Sequence, residues 1–294
     1  MRAMNQAGHE APQHSSNQRI SVCVDDYGLH AGVNAAVLDL VAQGRVQAVS
    51  AMVGAPAWSQ GAPALRECDP AQVDVGLHLD FTEHALQPEM RFALSQLIAR
   101  AYLGKLDAAT LRTEIVAQLD AFEQAMGRPP AYVDGHQHVH QLPMLRELLL
   151  AELQRRYPHG GLWLRCTRSP RYRAHADAAT AFKAQVIATL GSAALTRAAR
   201  AQGLGQNAHL LGVYGFTGTA ADYLARLALW LAAAREGDLL MCHTSADHDG
   251  PDALAGARQN EYAVLGGSAF AELLERWHLR PAPMSRILGS APGA

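Results

Sequence analysis

Residues 132–143, with the sequence YVDGHQHVHQLP, contain three histidines at alternate positions: His136, His138 and His140. Asp134 continues the same alternation towards the amino terminus. Imidazole nitrogens and carboxylate oxygens are the groups that catalytic zinc and other divalent ions take as ligands. The run could also be a solvated loop, so the rest of the chain must decide between a metal site and a polar surface.

Three further polar clusters follow or end short apolar runs that are typical of buried strands. They are Asp25 and Asp26 after RISVCV, His78 and Asp80 at the end of VDVGLHL, and His243 at the end of DLLMCH. In a parallel α/β barrel the carboxyl ends of all strands open onto one face, where active sites lie. Each cluster alone could be a turn, a cap or a buried polar residue. Their shared position at strand ends predicts that they meet in one cleft.

A metal ion would give these residue types a chemical role. Two imidazoles and one carboxylate leave a divalent ion with net positive charge and an open position for water. Such an ion lowers the pKa of the water and polarises a carbonyl oxygen. A second carboxylate beside the ligand can take the proton of that water. In the pair Asp25 and Asp26, one residue could therefore bind the metal while the other acts as the base. The predicted cofactor is one divalent ion, zinc or magnesium first, with manganese, cobalt or nickel as alternatives.

Alternating strands and helices must position these clusters. The predicted strands cover residues 19–24, 46–53, 73–79, 131–136, 161–166, 209–215 and 238–243. The predicted helices cover residues 32–44, 107–127, 143–156, 177–201, 219–235 and 268–277, and residues 81–106 and 244–267 are expected to be long loops or insertions. Strand–helix alternation predicts a parallel sheet. Seven or eight such units favour a distorted, TIM-barrel-like (β/α) barrel with the site at the carboxyl ends of its strands.

Composition narrows the classes of function. The chain has 294 residues and a net charge of −2, and no basic face indicates a nucleic-acid partner. No apolar run is long enough to span a membrane, and residues 1–18 have no apolar core of a secretory signal. The four cysteines form no C-x-x-C pair, which fits a reducing compartment. We therefore expect a disordered segment over residues 1–18, one domain over residues 19–290, and a cytoplasmic location.

Five stretches in one order resemble the motifs of the YdjC-like (ChbG/HpnK) carbohydrate deacetylase family. They are VDDYGLHAGVN at 24–34, GLHL at 76–79, DGHQHVH at 134–140, MCHTS at 241–245 and ARQNEYAVL at 257–265. The chain departs from the family pattern at Tyr27, where Phe is common, and at Thr244 and Ser245, which stand in place of Pro-Gly. The resemblance spans roughly residues 20–280, which is nearly the whole chain.

The resemblance implies a distorted barrel and a metal-dependent hydrolase of carbohydrate metabolism. Members remove acetyl groups from N-acetylated amino sugars such as acetylated chito-oligosaccharides, so an acetylated amino sugar is the expected partner, and a homodimer stays open. Carried over by position, the metal ligands are Asp26, His78 and His136, the general base is Asp25, and the general acid is His243. A carboxylate neighbour would raise the pKa of His243, and Asp247 and Asp249 are candidates for it.

Other polar and aromatic residues are expected near the ligands or the substrate. The weaker candidates are Tyr27, Asp80, Asp134, His138, His140 and Arg165. Candidates for a wall that stacks on a sugar are Trp58, Phe81, Trp163 and Tyr214, for which ordinary core packing is the alternative. Within the histidine run, the choice of His136 as the ligand rests on its position nearest to the strand end.

Three alternative functions stay open. Another metal-dependent amidohydrolase or a phosphoesterase would be favoured by a second metal bridged by further carboxylates. A non-haem iron oxygenase uses the same two-histidine, one-carboxylate ligand set, although a free Asp25 beside the ligand argues against it. A sugar-binding protein without turnover would keep the same fold.

Overall fold

Parallel strands form the centre of the computed structural model, which describes residues 17–170, 178–247 and 252–289. Residues 1–16 of the expected disordered segment lie outside the described residues. The strands are β1 (Gln18–Tyr27), β2 (Ala48–Ala51), β3 (Asp74–Leu79), β4 (Tyr132–Gly135), β5 (Trp163–Leu164), β6 (Gly205–Gln206), β7 (Leu210–Leu211), β8 (Leu239–Cys242) and β9 (Leu279–Pro281).

The strands curl into an open half-barrel. Their order is β6-β5-β4-β3-β2-β1-β8-β7, and β9 pairs with β1 outside this path. Each recorded pair is parallel. The two end strands of the order, β6 and β7, are not paired with each other in the part of the chain that the structure describes. The expectation of a distorted, TIM-barrel-like α/β fold is confirmed.

Helices surround the sheet. They are α1 (Ala31–Ala42), α2 (Trp58–Arg66), α3 (Leu94–Tyr102), α4 (Ala108–Met126), α5 (Leu145–Arg156), α6 (Ala178–Thr189), α7 (Ser192–Ala201), α8 (Ala220–Ala233), α9 (Ala255–Gly266), α10 (Ser268–Arg276) and α11 (Met284–Gly289). Helix α4 has the ends that its sequence predicts: the Asp107 carboxylate accepts a hydrogen bond from the Thr110 amide, and Gly127 ends the helix at φ 67°. No described helix has both the length and the apolar character that crossing a membrane requires.

Three of the sequence expectations about elements were wrong. Residues 81–106 and 244–267 are not long loops, because they contain α3 and α9. Helix α3 is held by Leu97 and Ala101, which are buried in the core, and its apolar positions 94, 97, 98 and 101 follow a helical spacing. The strand expected over 209–215 is reduced to Leu210–Leu211, because Gly212 lies at φ 87°, outside the extended region.

The core lies on both faces of the sheet, as the continuous apolar strands predict. From Ile20 to Tyr27, β1 is buried at every residue. Tyr132 and Trp163 stack with ring centroids 4.1 Å apart across β4 and β5. Gly76 on β3 makes room for this stack, since a Cβ atom there would lie 2.5 Å from the Tyr132 ring. The strands that carry the polar clusters are therefore fixed by a close-packed interior.

Candidate metal centre and its cleft

A bulge at the end of β1 directs two neighbouring carboxylates towards the same place. The register of β1 with β2 shifts between Val24 and Tyr27, and Asp26 lies at φ 68°, in the left-handed region that few non-glycine residues adopt. In a regular strand, successive side chains point to opposite faces. Here both Asp25 and Asp26 reach the ring of His78, with their nearest oxygens 4.0 and 3.3 Å from its Nε2 atom. The bulge therefore allows two adjacent residues to act at one site, Asp26 as a ligand and Asp25 as a base.

Three ligand-type side chains converge at this point. Asp26 Oδ1 lies 3.0 Å from His136 Nδ1 and 3.3 Å from His78 Nε2. The ligand atoms of Asp26, His78 and His136 lie within 4.8 Å of one another, so one ion could contact all three. Nδ1 of His78 is bound to Asp134 Oδ1 at 2.7 Å. A carboxylate behind a metal-binding imidazole fixes the ring and leaves the other nitrogen to the ion.

The three histidines of the run have separate environments, because the chain leaves the strand at His136. Gln137 and His138 lie at φ 51° and 63°, so they are not helical and they kink the short 3₁₀ segment His136–Gln141. His136 turns to Asp26, and His138 lines the cleft. His140 is fully buried, and its Nε2 lies 3.0 Å from the carbonyl oxygen of Arg165. Of the three, only His136 belongs to the Asp26 and His78 cluster.

Arg165 connects the carboxylates behind the cluster. Its fully buried guanidinium binds both oxygens of Asp25 at 2.6 Å and lies 2.7 Å from Asp134 Oδ2. Ser50 adds a hydrogen bond of 2.8 Å to Asp134. Asp25, His78 and Asp134 form a second set of possible metal ligands. The two carboxylates of this set already bind the Arg165 guanidinium. This argues against a second metal there and against the two-metal alternatives.

The charges of the cluster shift its pKa values in opposite directions. Burial tends to raise the pKa of Asp25, but the Arg165 guanidinium outweighs burial and holds this pKa well below its ordinary value. Burial likewise opposes ionisation of Asp26, but Arg258 and His136 keep its pKa well below the usual range. Burial lowers the pKa of His78, whereas Asp134 and Asp25 outweigh burial and raise the pKa to about 9. The cluster thus contains ionised carboxylates that attract cations.

Arg258 and Glu261 are site residues that the sequence analysis named only as part of a motif. On α9 they lie three residues apart, a spacing that puts them on one helix face. Arg258 binds Asp26 Oδ2 at 2.7 Å and Asp252 Oδ2 at 2.7 Å, so the second oxygen of Asp26 is engaged. Glu261 accepts hydrogen bonds from the backbone amide of His243 and from the Tyr214 hydroxyl, both at 2.7 Å. The sequence signal that could have identified Arg258 and Glu261 is their spacing of three residues in the segment that follows His243.

His243 follows β8 and lines the cleft, as expected. Its pKa was expected to be raised by a carboxylate, but it is lowered. Burial lowers the pKa of His243 to about 4, although Asp26 and Asp25 act against this. Asp247 was expected to be the carboxylate that raises the pKa of His243, and this expectation was wrong. The carboxylates that act on the ring are those of Asp26 and Asp25. Asp249 lies outside the described residues. The imidazole is neutral at pH 7 in the free protein.

Several weaker candidates have structural contacts instead of a place in the cleft. The Tyr27 hydroxyl donates to the carbonyl oxygen of Gly61 and is fully buried against Trp58. Asp80 accepts hydrogen bonds from the amides of Thr82 and His84 and so shapes the turn after β3. Of the four aromatic residues proposed for a stacking wall, Tyr214 lines the cleft, and Trp58, Phe81 and Trp163 are core residues.

The cluster lies in a cleft of about 1240 Å³ at the carboxyl ends of the strands. Asp25, Asp26, His78, His136 and His243 all line it. Its donor set fits a divalent ion: one carboxylate oxygen and two imidazole nitrogens converge, and the nitrogen of His78 that faces away is held by Asp134. Of the sequence-derived site, the structure brings together the three expected ligands and the two expected catalytic residues.

The chain is similar to known proteins in sequence and in fold. The model of the YdjC-like protein family matches residues 19–276. A carbohydrate deacetylase from Homo sapiens is 31% identical over 149 residues, which cover 46% of this chain and 45% of the relative. A chitooligosaccharide deacetylase from Yersinia enterocolitica is 33% identical over 135 residues, which cover 44% of this chain and 53% of the relative. The chain thus spans about half the length of the curated relatives it matches.

One solved structure shares the fold over nearly its whole length. It comes from Enterococcus faecalis and is described as a candidate cellobiose-phosphate cleavage protein. The TM-score is 0.65 at 18% sequence identity, with 92% of this chain and 99% of that chain covered. At this identity the likeness concerns the fold alone.

Substitution of the three converging ligands tests the metal centre. Asp26→Ala, His78→Ala and His136→Ala should each weaken binding of Zn²⁺ by about 10-fold or more, because each variant loses one of three protein donors. Isothermal titration of metal-stripped protein measures the affinity, and circular dichroism checks the fold. His159→Ala, at an exposed histidine outside the cleft, is the matched control and should bind like the parent protein. A variant that is folded and binds with unchanged affinity removes its residue from the ligand set.

Proposed function

The chain belongs to the YdjC-like family, and we propose that it is a metal-dependent hydrolase of an acetamido group on an amino sugar. The substrate class is an N-acetylated amino sugar or a small oligosaccharide of such sugars. The proposal draws on the relatives, whose descriptions are carbohydrate deacetylase and chitooligosaccharide deacetylase. Three expectations stay predictions: a cytoplasmic location, a single domain over residues 19–290 and a homodimer.

One observation carries the proposal: an ionised carboxylate that is not needed as a ligand lies beside the ligand cluster. Asp26, His78 and His136 form the cluster, and Asp25 approaches His78 Nε2 only to 4.0 Å while Arg165 holds both of its oxygens. A binding protein without turnover would need no base beside its ligand cluster. An iron oxygenase would need the ligand set but no separate base.

The residues of the chain have distinct tasks in amide hydrolysis. A divalent ion bound by Asp26, His78 and His136 would supply a more acidic water and a positive charge for the developing oxyanion. Asp25 accepts the proton of the attacking water. Since Arg165 lowers the pKa of Asp25, this carboxylate is ionised and ready at neutral pH, and the proton it takes up is held only weakly. Arg165 thus keeps the base fixed in place and favours onward transfer of the proton.

His243 delivers a proton to the leaving nitrogen. An amine leaves a tetrahedral intermediate with difficulty unless its nitrogen is protonated as the bond breaks. Because His243 is neutral in the free protein, it has to receive a proton within the cycle before it can donate one. Hydrolysis of an amide moves one proton from water to the amine, so the proton taken by Asp25 is sufficient. A relay from Asp25 to His243 and then to the amine balances without an acid from solvent.

The experiment that tests the proposed function is acetate release from N-acetylated sugars. Metal-stripped protein is supplied with Zn²⁺, Mg²⁺, Mn²⁺, Co²⁺ or Ni²⁺ and assayed on N-acetylglucosamine, on chito-oligosaccharides and on glycosides of N-acetylglucosamine. Metal-dependent release of acetate supports the proposal. Sugar binding without release of acetate under any of these metals would favour the non-catalytic alternative.

The role of Asp25 as a base is tested by Asp25→Asn. The amide has nearly the same shape but accepts a proton poorly, so we expect the variant to keep its metal and to lose kcat by about 10²–10⁴. Metal content and single-turnover rates measure the two properties separately. The matched control is Asp69→Asn, at an exposed carboxylate outside the cleft, which should keep its rate. Loss of metal in Asp25→Asn would make this residue a ligand.

The role of His243 as an acid is tested by a comparison of two leaving groups. An activated phenyl acetate hardly needs a proton on its leaving oxygen, whereas an acetamide needs one on its nitrogen. His243→Ala should therefore lower the rate of acetamide hydrolysis by about 10²–10⁴ and affect the ester by less than about 10-fold. The rates are measured at equal metal occupancy. Equal losses on both substrates would assign His243 a structural or oxyanion-stabilising role.

A further inference from the structure

The two histidines of the ligand cluster turn opposite nitrogens towards Asp26. His78 faces Asp26 Oδ1 with Nε2 at 3.3 Å, and His136 faces it with Nδ1 at 3.0 Å. Nδ1 of His78, on the far side of its ring, is bound to Asp134 at 2.7 Å. Nε2 of His136, on the far side of the other ring, is buried and makes no hydrogen bond with the described residues.

This buried nitrogen of His136 needs an acceptor once the ring binds an ion. A neutral imidazole that gives one nitrogen to a metal carries its proton on the other nitrogen. An N–H group that is buried without an acceptor destabilises the state that contains it. A carboxylate next to Nε2 would therefore favour the tautomer in which Nδ1 is free for the metal.

The Glu83 carboxylate lies at this position. Its Oε1 atom is 3.3 Å from Nε2 of His136, and the Glu83 side chain is 46% exposed. A charge-assisted hydrogen bond is about 2.7–2.9 Å long, and a half-exposed side chain has room to close the difference. The same oxygen accepts a hydrogen bond of 3.1 Å from Nε2 of Gln137. Glu83 thus contacts two successive residues where the chain leaves β4.

The turn that carries Glu83 is fixed on both sides. The Asp80 carboxylate accepts hydrogen bonds from the backbone amides of Thr82, Glu83 and His84. The carbonyl oxygen of His84 packs against Gly54, where a Cβ atom would lie 1.8 Å from it. The backbone of Glu83 is therefore held in place although its side chain is half exposed.

Two buried polar side chains of α4 hold the same turn from the core. Gln118 accepts a hydrogen bond of 3.0 Å from the Asp80 amide and donates one of 2.7 Å to the Asp80 carbonyl oxygen. The Glu114 carboxylate accepts from the amides of Leu86 and Gln87 at 2.7 and 3.0 Å. Glu114 and Gln118 also bind each other. Buried polar groups are costly unless they are hydrogen-bonded, and these two form their bonds with the turn.

We propose that Glu83 is a positioning residue, which accepts the Nε2 proton of His136 and so holds Nδ1 of this ring towards the metal. Each imidazole of the cluster then has one carboxylate behind it, Asp134 for His78 and Glu83 for His136. The inference rests on the metal centre of the proposed function and adds a residue to it. Its tests measure metal binding without turnover, so failure to release acetate leaves them unaffected.

Zinc affinity tests the role of Glu83. Loss of a carboxylate behind a ligating histidine typically weakens metal binding by about 10–100-fold, so Glu83→Ala should weaken binding of Zn²⁺ to metal-stripped protein by at least about tenfold. Glu83→Gln should lose less, because its amide oxygen can still accept the Nε2 proton. The matched control is Glu89→Ala, at an exposed glutamate of the same segment outside the cleft, which should bind like the parent protein. Unchanged affinity in folded Glu83→Ala overturns the inference.

A double-mutant cycle with His136→Ala shows whether Glu83 acts through this ring. Once the imidazole is absent, Glu83→Ala should weaken zinc binding by less than about twofold more, since the two residues work as one unit. A further loss of tenfold would show that Glu83 acts on the ion without His136, and would overturn the inference. If His136→Ala alone leaves the affinity unchanged, the metal centre itself is wrong. If only Glu83→Ala does so, the metal centre stands and the inference fails.

Nuclear magnetic resonance of the zinc-loaded protein reads the proton directly. With ¹⁵N-labelled histidine, the parent protein should show an N–H signal for Nε2 of His136, which is identified by its absence from His136→Ala. In Glu83→Ala this signal should disappear through exchange with water, while the Nδ1–H signal of His78, which Asp134 holds, stays in both proteins as an internal reference. A parent protein without the Nε2–H signal, or a Glu83→Ala variant that keeps it, contradicts the assignment.

Discussion

The pairing of one buried guanidinium with two carboxylates is the interaction on which the site depends. Arg165 is fully buried and lies 2.6 Å from Asp25 and 2.7 Å from Asp134. Buried charges are costly unless they are paired, and removal of one partner from such a pair costs about 3–5 kcal/mol. Asp134 in turn fixes the His78 ring at 2.7 Å. Through these contacts one residue after β5 sets the positions of groups on β1, β3 and β4.

Two arginines give the two adjacent aspartates different roles. Arg258 occupies Oδ2 of Asp26 and leaves Oδ1 to the histidines, whereas Arg165 binds both oxygens of Asp25. The first arrangement suits a ligand that contributes one oxygen. The second suits an ionised group that is held beside the ligands without joining them. The left-handed conformation of Asp26 persists because these ion pairs and the bulge of β1 hold it.

Much of this arrangement could be predicted from the sequence, because it follows from local patterns. Apolar runs predict the central strands, and the polar residues at the ends of these strands are predicted to meet in one cleft. They include Asp26, His78, His136 and His243. Contacts between distant segments could not be read in this way. The role of Arg258 depends on an ion pair across 232 positions. The pKa of His243 depends on burial, which a strand-end position does not reveal.

The central claim is that a single divalent ion is held by Asp26, His78 and His136 while Asp25 stays bound to Arg165 outside the coordination sphere. The most direct measurement is an anomalous difference map from crystals of the protein grown with Zn²⁺. The account predicts one strong peak between Asp26 Oδ1 and the rings of His78 and His136, with both Asp25 oxygens still on the Arg165 guanidinium. A peak among Asp25, His78 and Asp134, with Arg165 displaced, would contradict it.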